Sequence, residues 1–140
     1  MSYLLDTNVV SEARQPRPDK NVLRWLAAQP LTSTYLSVIT LGELEEGITA
    51  LGDTQRAQAL KKWLAQLTES FGGRILDVDP DVATTWGRIR AEAKRQGRPP
   101  PAVDALLVAT AITHALTLVT RNVADVATLP VTILNPWDES

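Results

Sequence analysis

A chain of 140 residues without a cysteine, carrying 14 Lys plus Arg against 16 Asp plus Glu and a single His114, is the size of one ordinary domain, read here as 1–140. It is long enough to bury a core without staples, and the missing cysteines exclude disulfides and thiolate metal sites. Its longest apolar stretch, Ala105 to Ile112, falls far short of the ~20 residues of a membrane helix, and Met1 leads straight into a strand-like run with no signal-peptide pattern, so a cytoplasmic protein with no membrane association is expected.

Tyr3 to Leu5 is a short apolar run that ends on Asp6 and reads as a first strand. After Pro16 and Pro18, Asp19 is placed to cap a helix whose inner face carries Val22, Leu26 and Trp25. Thr34 to Val38 reads as a second strand, and Thr40 as the opening of a helix with Leu41, Leu44, Ile48 and Leu51 three or four apart. Asp53 starts another helix with Ala57, Leu60, Leu64 and Leu67 inside, ended by Phe71-Gly72-Gly73. Arg74 to Val78 is the third strand. Asp81 then leads a helix with Val82, Trp86, Ile89 and Ala93 on one side, stopped by Gly97 and Pro99-Pro100-Pro101. Ala102 to His114 reads as a small-residue, apolar helix, and Thr117 to Thr120 and Val131 to Leu134 complete the strands. Nearly unbroken apolar strands alternating with helices predict an α/β fold, a three-layer sandwich around a parallel sheet.

In such sheets ligands bind outside the carboxyl ends of the strands. Asp6 ends the first strand, Glu43 lies in the first turn of the helix after the second, and Asp104 in the first turn of the last long helix. Asn122 and Asp125 follow the strand that ends at Thr120. Carboxylates gathered at one edge repel unless a cation neutralises them, and an all-oxygen set selects Mg2+ or Mn2+. The chemistry predicted is metal-assisted hydrolysis of a phosphate ester without a protein nucleophile.

Each acid also has a structural explanation. Asp6 is placed to cap the turn after it, and Thr40 with Glu43 matches a capping box in which Glu43 bonds back to the Thr40 amide. Asp104 sits where a helix dipole favours negative charge, but between Val103 and Ala105-Leu106-Leu107, where an unpaired carboxylate is costly. His114 reads as a helix-end residue rather than a catalytic base. Arg88, Arg90, Lys94, Arg95 and Arg98, opposed in that stretch only by Glu92, form either an RNA-binding surface, centred on Arg95 and Arg98, or a solvated helix face.

The chain resembles the PIN-domain ribonucleases, specifically the VapC toxins and the related FitB proteins, over essentially its whole length. Leu5-Asp6-Thr7-Asn8-Val9-Val10-Ser11-Glu12 is similar to the family's first block and Leu36 to Leu44 to its second; Asp6 and Glu43 fall on the metal-binding acids. Val103 to Ala111 resembles the third, with Asp104 as the acid, and Val119-Thr120-Arg121-Asn122-Val123-Ala124-Asp125 the fourth. Leu134-Asn135-Pro136-Trp137 resembles the FitB-like tail. Two positions depart from the pattern: Asn122 stands where many relatives have an acid, and Val126 where an aromatic is usual. Asn122 and Asp125 are therefore the contributors to a fourth position, and one metal or two is left open. The resemblance implies a magnesium-dependent endoribonuclease leaving a 5′-phosphate, a homodimer, an RNA substrate, and a cognate antitoxin that silences it. The alternative is a catalytically idle domain of the same shape that binds RNA or a partner. Two other acid-edged α/β families are excluded by what is missing: a haloacid-dehalogenase-like site needs an acid at Asn8, and a receiver domain needs a lysine after a late strand, whereas the last lysine is Lys94.

Overall fold

The computed structural model describes residues Met1 to Asp138. Among them five short strands, β1 (Tyr3–Leu5), β2 (Thr34–Ser37), β3 (Ile75–Leu76), β4 (Thr117–Val119) and β5 (Ile133–Leu134), form one sheet in the order β3-β2-β1-β4-β5. Every pairing is parallel. The chain moves outward from β1 through β2 to β3, then crosses back to lay β4 and β5 on β1's other side. That reversal makes the gap beside β1 the switch point of the sheet.

Side chains along each strand point alternately to the two faces, and two cores result. Leu4 and Leu118 join Val82, Leu107 and Val108 on one face, whereas Leu5 and Val119 join Val9, Val22 and Phe71 on the other. The first core lies beneath α5 (Pro80–Arg95), α6 (Ala102–Thr113) and α7 (Val123–Val126). The second is covered by α1 (Thr7–Glu12), α2 (Lys20–Ala28), α3 (Val38–Ala50) and α4 (Gln55–Phe71). This is the expected three-layer sandwich. Because both faces are covered, the strands have no polar side to alternate with, which is why they read as plain apolar runs. Leu4, Leu36 and Leu118 are fully buried, and truncating any of them to alanine is expected to cost about 2–5 kcal/mol.

The helix starts differ from the sequence reading in an instructive way. Helix α3 begins at Val38, not after Thr40, because Ser37 accepts the Ile39 amide at 3.0 Å. Thr40 lies inside the first turn, fully buried, and its hydroxyl has no partner among the described residues. Likewise Thr54 rather than Asp53 caps α4, through the Ala57 amide, and Asp79 rather than Asp81 caps α5, with Pro80 filling the first helical position. Asp19 caps α2 as expected, accepting from Asn21 and Val22. Two helices stop at glycines with left-handed backbones, Gly72 at φ 47° and Gly97 at φ 72°, conformations that cost a side chain-bearing residue more than glycine. The third strand is two residues long instead of five, since only Ile75 and Leu76 find partners, in Leu36 and Ser37.

Candidate metal centre

All strands run the same way, so their carboxyl ends share one edge, and the acids are delivered there by different elements. Register pairs Leu5 with Val119, which places the next residues, Asp6 and Thr120, side by side at the switch point. The Asp6 amide extends the ladder by donating to the Val119 carbonyl at 2.9 Å. Its carboxylate is buried and well held. Oδ1 accepts the Thr7 amide at 2.6 Å, and Oδ2 accepts the Thr120 hydroxyl at 2.7 Å, with the Asn8 side-chain amide at 3.5 Å. Asp6 thus caps α1 as its position implied, but the same carboxylate also reaches across to β4. Burial raises its pKa, and the bonds from Thr120 and Thr7 act against that rise.

Glu43 comes from the second turn of α3, one turn later than expected because the helix starts at Val38. It does not bond back to Thr40; its Oε1 accepts the Thr7 hydroxyl at 2.5 Å. Thr7 therefore joins two acids, through its amide to Asp6 and its hydroxyl to Glu43. The capping-box explanation of Glu43 is replaced by a tether to the Asp6 turn.

Asp104 is carried by α6, whose buried Ala105, Ala109 and Ala111 let the helix lie close on the sheet; the helix packs on β1, β4 and α3. Its start is fixed by the Trp86 indole N–H, which donates to the Ala102 carbonyl at 3.2 Å. Burial, and then the charges of Asp6, Asp125 and Glu43, push Asp104 up to about 6. Asp6, Asp125 and Glu43 thus all lie within electrostatic reach of Asp104, and each disfavours its ionised form. Among the described residues, however, no three acids or histidines form a finished ion-binding cluster. Asp6 and Glu43 each accept hydrogen bonds from threonines, Asp6 from Thr7 and Thr120 and Glu43 from Thr7.

The donor set fits a hard divalent cation. It is all oxygen, the charge is concentrated, and a carboxylate has about four acceptor sites, so Asp6 keeps lone pairs beyond its present bonds. Asp125, in the first turn of α7, joins the acids by its charge on Asp104 but is exposed. Asn122 is also exposed; its backbone amide donates to the Thr120 hydroxyl at 3.0 Å, and its side chain does not cap α7. His114 ends α6 ten residues past Asp104, about 15 Å along the helix axis. Arg95 pairs with Glu92 on α5, and Arg98 is exposed just past the glycine that ends it. Sequence reasoning gave no role to Thr7 or Thr120. The available signal was a hydroxyl residue within two positions of the end of β1 and of β4.

Known proteins share this fold. The family described as PIN domain matches residues 3–124. The chain is 39% identical to the protein named Toxin FitB of Neisseria gonorrhoeae, over 97% of this chain and 99% of that one. It is 33% identical to the VapC ribonuclease Y4jK of Sinorhizobium fredii, over 96% and 97%. Among solved structures, FitAcB from Neisseria gonorrhoeae superposes with a TM-score of 0.93 at 38% identity, covering 98% of this chain and 99% of that chain. A toxin–antitoxin complex from Klebsiella pneumoniae superposes with a TM-score of 0.72 at 28% identity, over 99% and 100%. Fold, acidic switch point and sequence match agree, and the chain belongs to the PIN-domain family, among relatives of the VapC and FitB toxins.

Proposed function

We propose that this protein is a magnesium-dependent endoribonuclease, Mn2+ serving as an alternative ion, that acts as the toxin of a toxin–antitoxin pair. The observation that carries the reading is the convergence of Asp6, Glu43, Asp104 and Asp125 from four separate elements onto the switch point, where burial and then the charges of the other three lift Asp104 to about 6. A fold does not gather four acids from the end of β1, α3, α6 and α7 for stability, because each added charge raises the cost of the next. Asp6, Asp104 and Glu43 are the residues that would hold the cation, with Asp125, and Asn122 as a neutral oxygen, beside it. A hard divalent ion supplies charge stabilisation for a phosphodiester under attack and activates water near neutral pH.

The chain's own contribution is positional. Thr7 and Thr120 orient the Asp6 carboxylate from both sides, and Thr7 keeps Glu43 within a side-chain rotation of it. The relatives named ribonuclease and toxin, and the toxin–antitoxin complex, support an RNA substrate and an antitoxin partner for this chain. Homodimeric assembly and a cytoplasmic location belong to the same reading. The test is cleavage of labelled RNA in Mg2+, Mn2+ and EDTA: turnover that needs the metal supports the reading. Intact RNA in every condition, with RNA or partner still bound, makes the chain an idle binding domain.

A further inference from the structure

One cleft opens beside the acids and is not used by them. It has a volume of about 710 Å³ and is lined by Asn8, Ser11, Glu12, Arg17, Arg121 and Trp137 among others. That size lies within the ~300–1,000 Å³ of small-ligand sites. Asn8 is its shared wall with the metal centre. Its side-chain amide lies 3.5 Å from Asp6 Oδ2, and its Oδ1 accepts the Arg121 amide at 3.4 Å. Arg121 directly follows Thr120, so one backbone step separates the group that orients Asp6 from a guanidinium at the cleft.

The lining has the chemistry of a nucleotide seat. The Arg121 guanidinium carbon lies over the Trp137 ring, 5.1 Å from its centre, so a cation and an aromatic platform meet at the cleft. A guanidinium keeps its N–H donors in its own plane, available to phosphate oxygens. Arg17 adds a second positive charge. Glu12, the one acid in the lining among the described residues, is occupied by accepting the Asp19 amide at 2.8 Å. The tail that carries Trp137 is held by other groups. The Asn21 side chain donates to the Trp137 carbonyl at 3.2 Å, and the Trp137 amide donates to Asn135 Oδ1 at 3.0 Å. Trp137 is half-buried, packed against the second core while it lines the cleft. The basic α5 stretch is differently disposed, for Arg95 is paired to Glu92 and Arg90 lies over Trp86.

We infer that this cleft seats a nucleotide of single-stranded RNA adjacent to the phosphate at the acids, with its base stacked on the Trp137–Arg121 platform and its phosphates met by Arg121 and Arg17. A base can reach such a platform only when it is unstacked, which selects single strands over duplex. The inference rests on the ribonuclease reading, and its test is chosen to fail separately from it.

The experiment measures anisotropy of a labelled ten-nucleotide RNA of mixed sequence against the full chain, in EDTA so that the strand stays intact. Arg121→Gln and Arg17→Gln are each expected to weaken binding several-fold and to flatten its log–log salt dependence by roughly 0.7 for each phosphate no longer neutralised. Trp137→Leu is expected to weaken binding roughly ten-fold, Trp137→Phe to recover most of that, and an RNA with abasic positions to bind the native chain no better than Trp137→Leu. The abasic probe separates stacking from packing, because a purely structural Trp137 would not register a missing base. Circular dichroism melts identify a variant that has lost the fold, and Arg121→Gln, on the surface, carries the test if Trp137→Leu does. Native binding with unchanged affinity and slope in the arginine variants overturns the inference and leaves the nuclease reading standing. No native binding overturns the inference as well, and cleavage in Mg2+ then decides whether the nuclease reading falls with it. If the variants lose a co-expressed protein partner while RNA affinity holds, the cleft is a protein-docking site and the inference is wrong.

Discussion

The two halves of the acidic edge are built on opposite principles. On the β1–β4 side, Asp6 is buried and met by an amide and a hydroxyl that fix its carboxylate. On the α6 side, Asp104 is half-exposed, and its surroundings press on it chiefly through burial and the charges of Asp6, Asp125 and Glu43. The first half is pre-organised by hydrogen bonds before any ion arrives. The second is held in tension by the rigid seating of α6, and a cation would relieve it. In the proposed metal site, geometry would then come from one set of groups and the driving force for binding a cation from another.

The sharpest way to break the comparison is to neutralise each half. Asp6→Asn and Asp104→Asn are each expected to abolish magnesium-dependent RNA cleavage, but only Asp104→Asn should clearly raise the melting temperature without metal, since it removes repulsion and breaks no hydrogen bond to Asp6. Asparagine at position 6 relieves burial of a charge but cannot accept at both oxygens, so the two effects offset. Wild-type turnover in either variant at saturating Mg2+ would show that the acids do not share an ion.

Next in size is the group that orients Asp6. Thr120→Val keeps the shape of a fully buried side chain and removes its hydroxyl. Partners of metal-binding side chains typically account for roughly 10–100-fold in affinity, so Mg2+ binding by calorimetry should weaken by about that factor while the fold survives. Unchanged affinity would mean that burial and the Thr7 amide suffice to set Asp6.

How far the sequence carried this picture depends on the kind of signal. Strand and helix order, the two-sided core and the place of Asp6 at a strand end were legible, because apolar runs such as Tyr3 to Leu5 and Thr117 to Thr120 admit few other placements. Caps were not. Ser37 and Thr40, Asp53 and Thr54, Asp79 and Asp81 each fall within one turn of each other, and any of them offers an oxygen to an amide; tertiary packing decides. Thr40 lost to Ser37 because its side chain turns into the buried side of α3. Strand length was overestimated at β3 because pairing ends where β2 ends, a property of the neighbour rather than of Arg74 to Val78. Thr7 and Thr120 went unassigned because their role exists only once β1, α3 and β4 meet.

The cap correction gives a smaller, separable pair of effects. Ser37→Ala should cost about 0.5–2 kcal/mol by losing the bond to the Ile39 amide. Thr40→Ala should cost less, because the hydroxyl it removes is buried and without a partner. Glu43→Gln is expected to fold with near wild-type stability and to lose most nuclease activity, because Gln can still accept from Thr7 but takes a full charge from the cluster. Thermal melts with a cleavage assay decide it: an active Glu43→Gln enzyme would make Glu43 a tether for the Asp6 turn and nothing more.

The smallest effect tests the tension directly. The Asp104 pKa is raised from 3.8 to about 6 on folding, so the folded chain holds that proton more tightly than the unfolded chain. The stability this contributes is fully present below pH 3.8 and is lost as pH rises through about 6. Asp6, whose pKa is also raised, adds in the same direction. Asp104 is half in solvent, so screening reduces its share to about 1 kcal/mol, or roughly 3–4 °C in melting temperature for a domain of this size. The rest of the chain is common to native and Asp104→Asn proteins, and the difference between the two isolates Asp104. In EDTA that difference should be small near pH 4 and grow in favour of Asp104→Asn up to pH 7. Saturating Mg2+ at pH 7 should reverse it, since only the native chain gains from the ion. Parallel melting curves from pH 4 to 7 would mean that Asp104 is not held under repulsion, and the α6 half of the site would then need another explanation for its place at the edge.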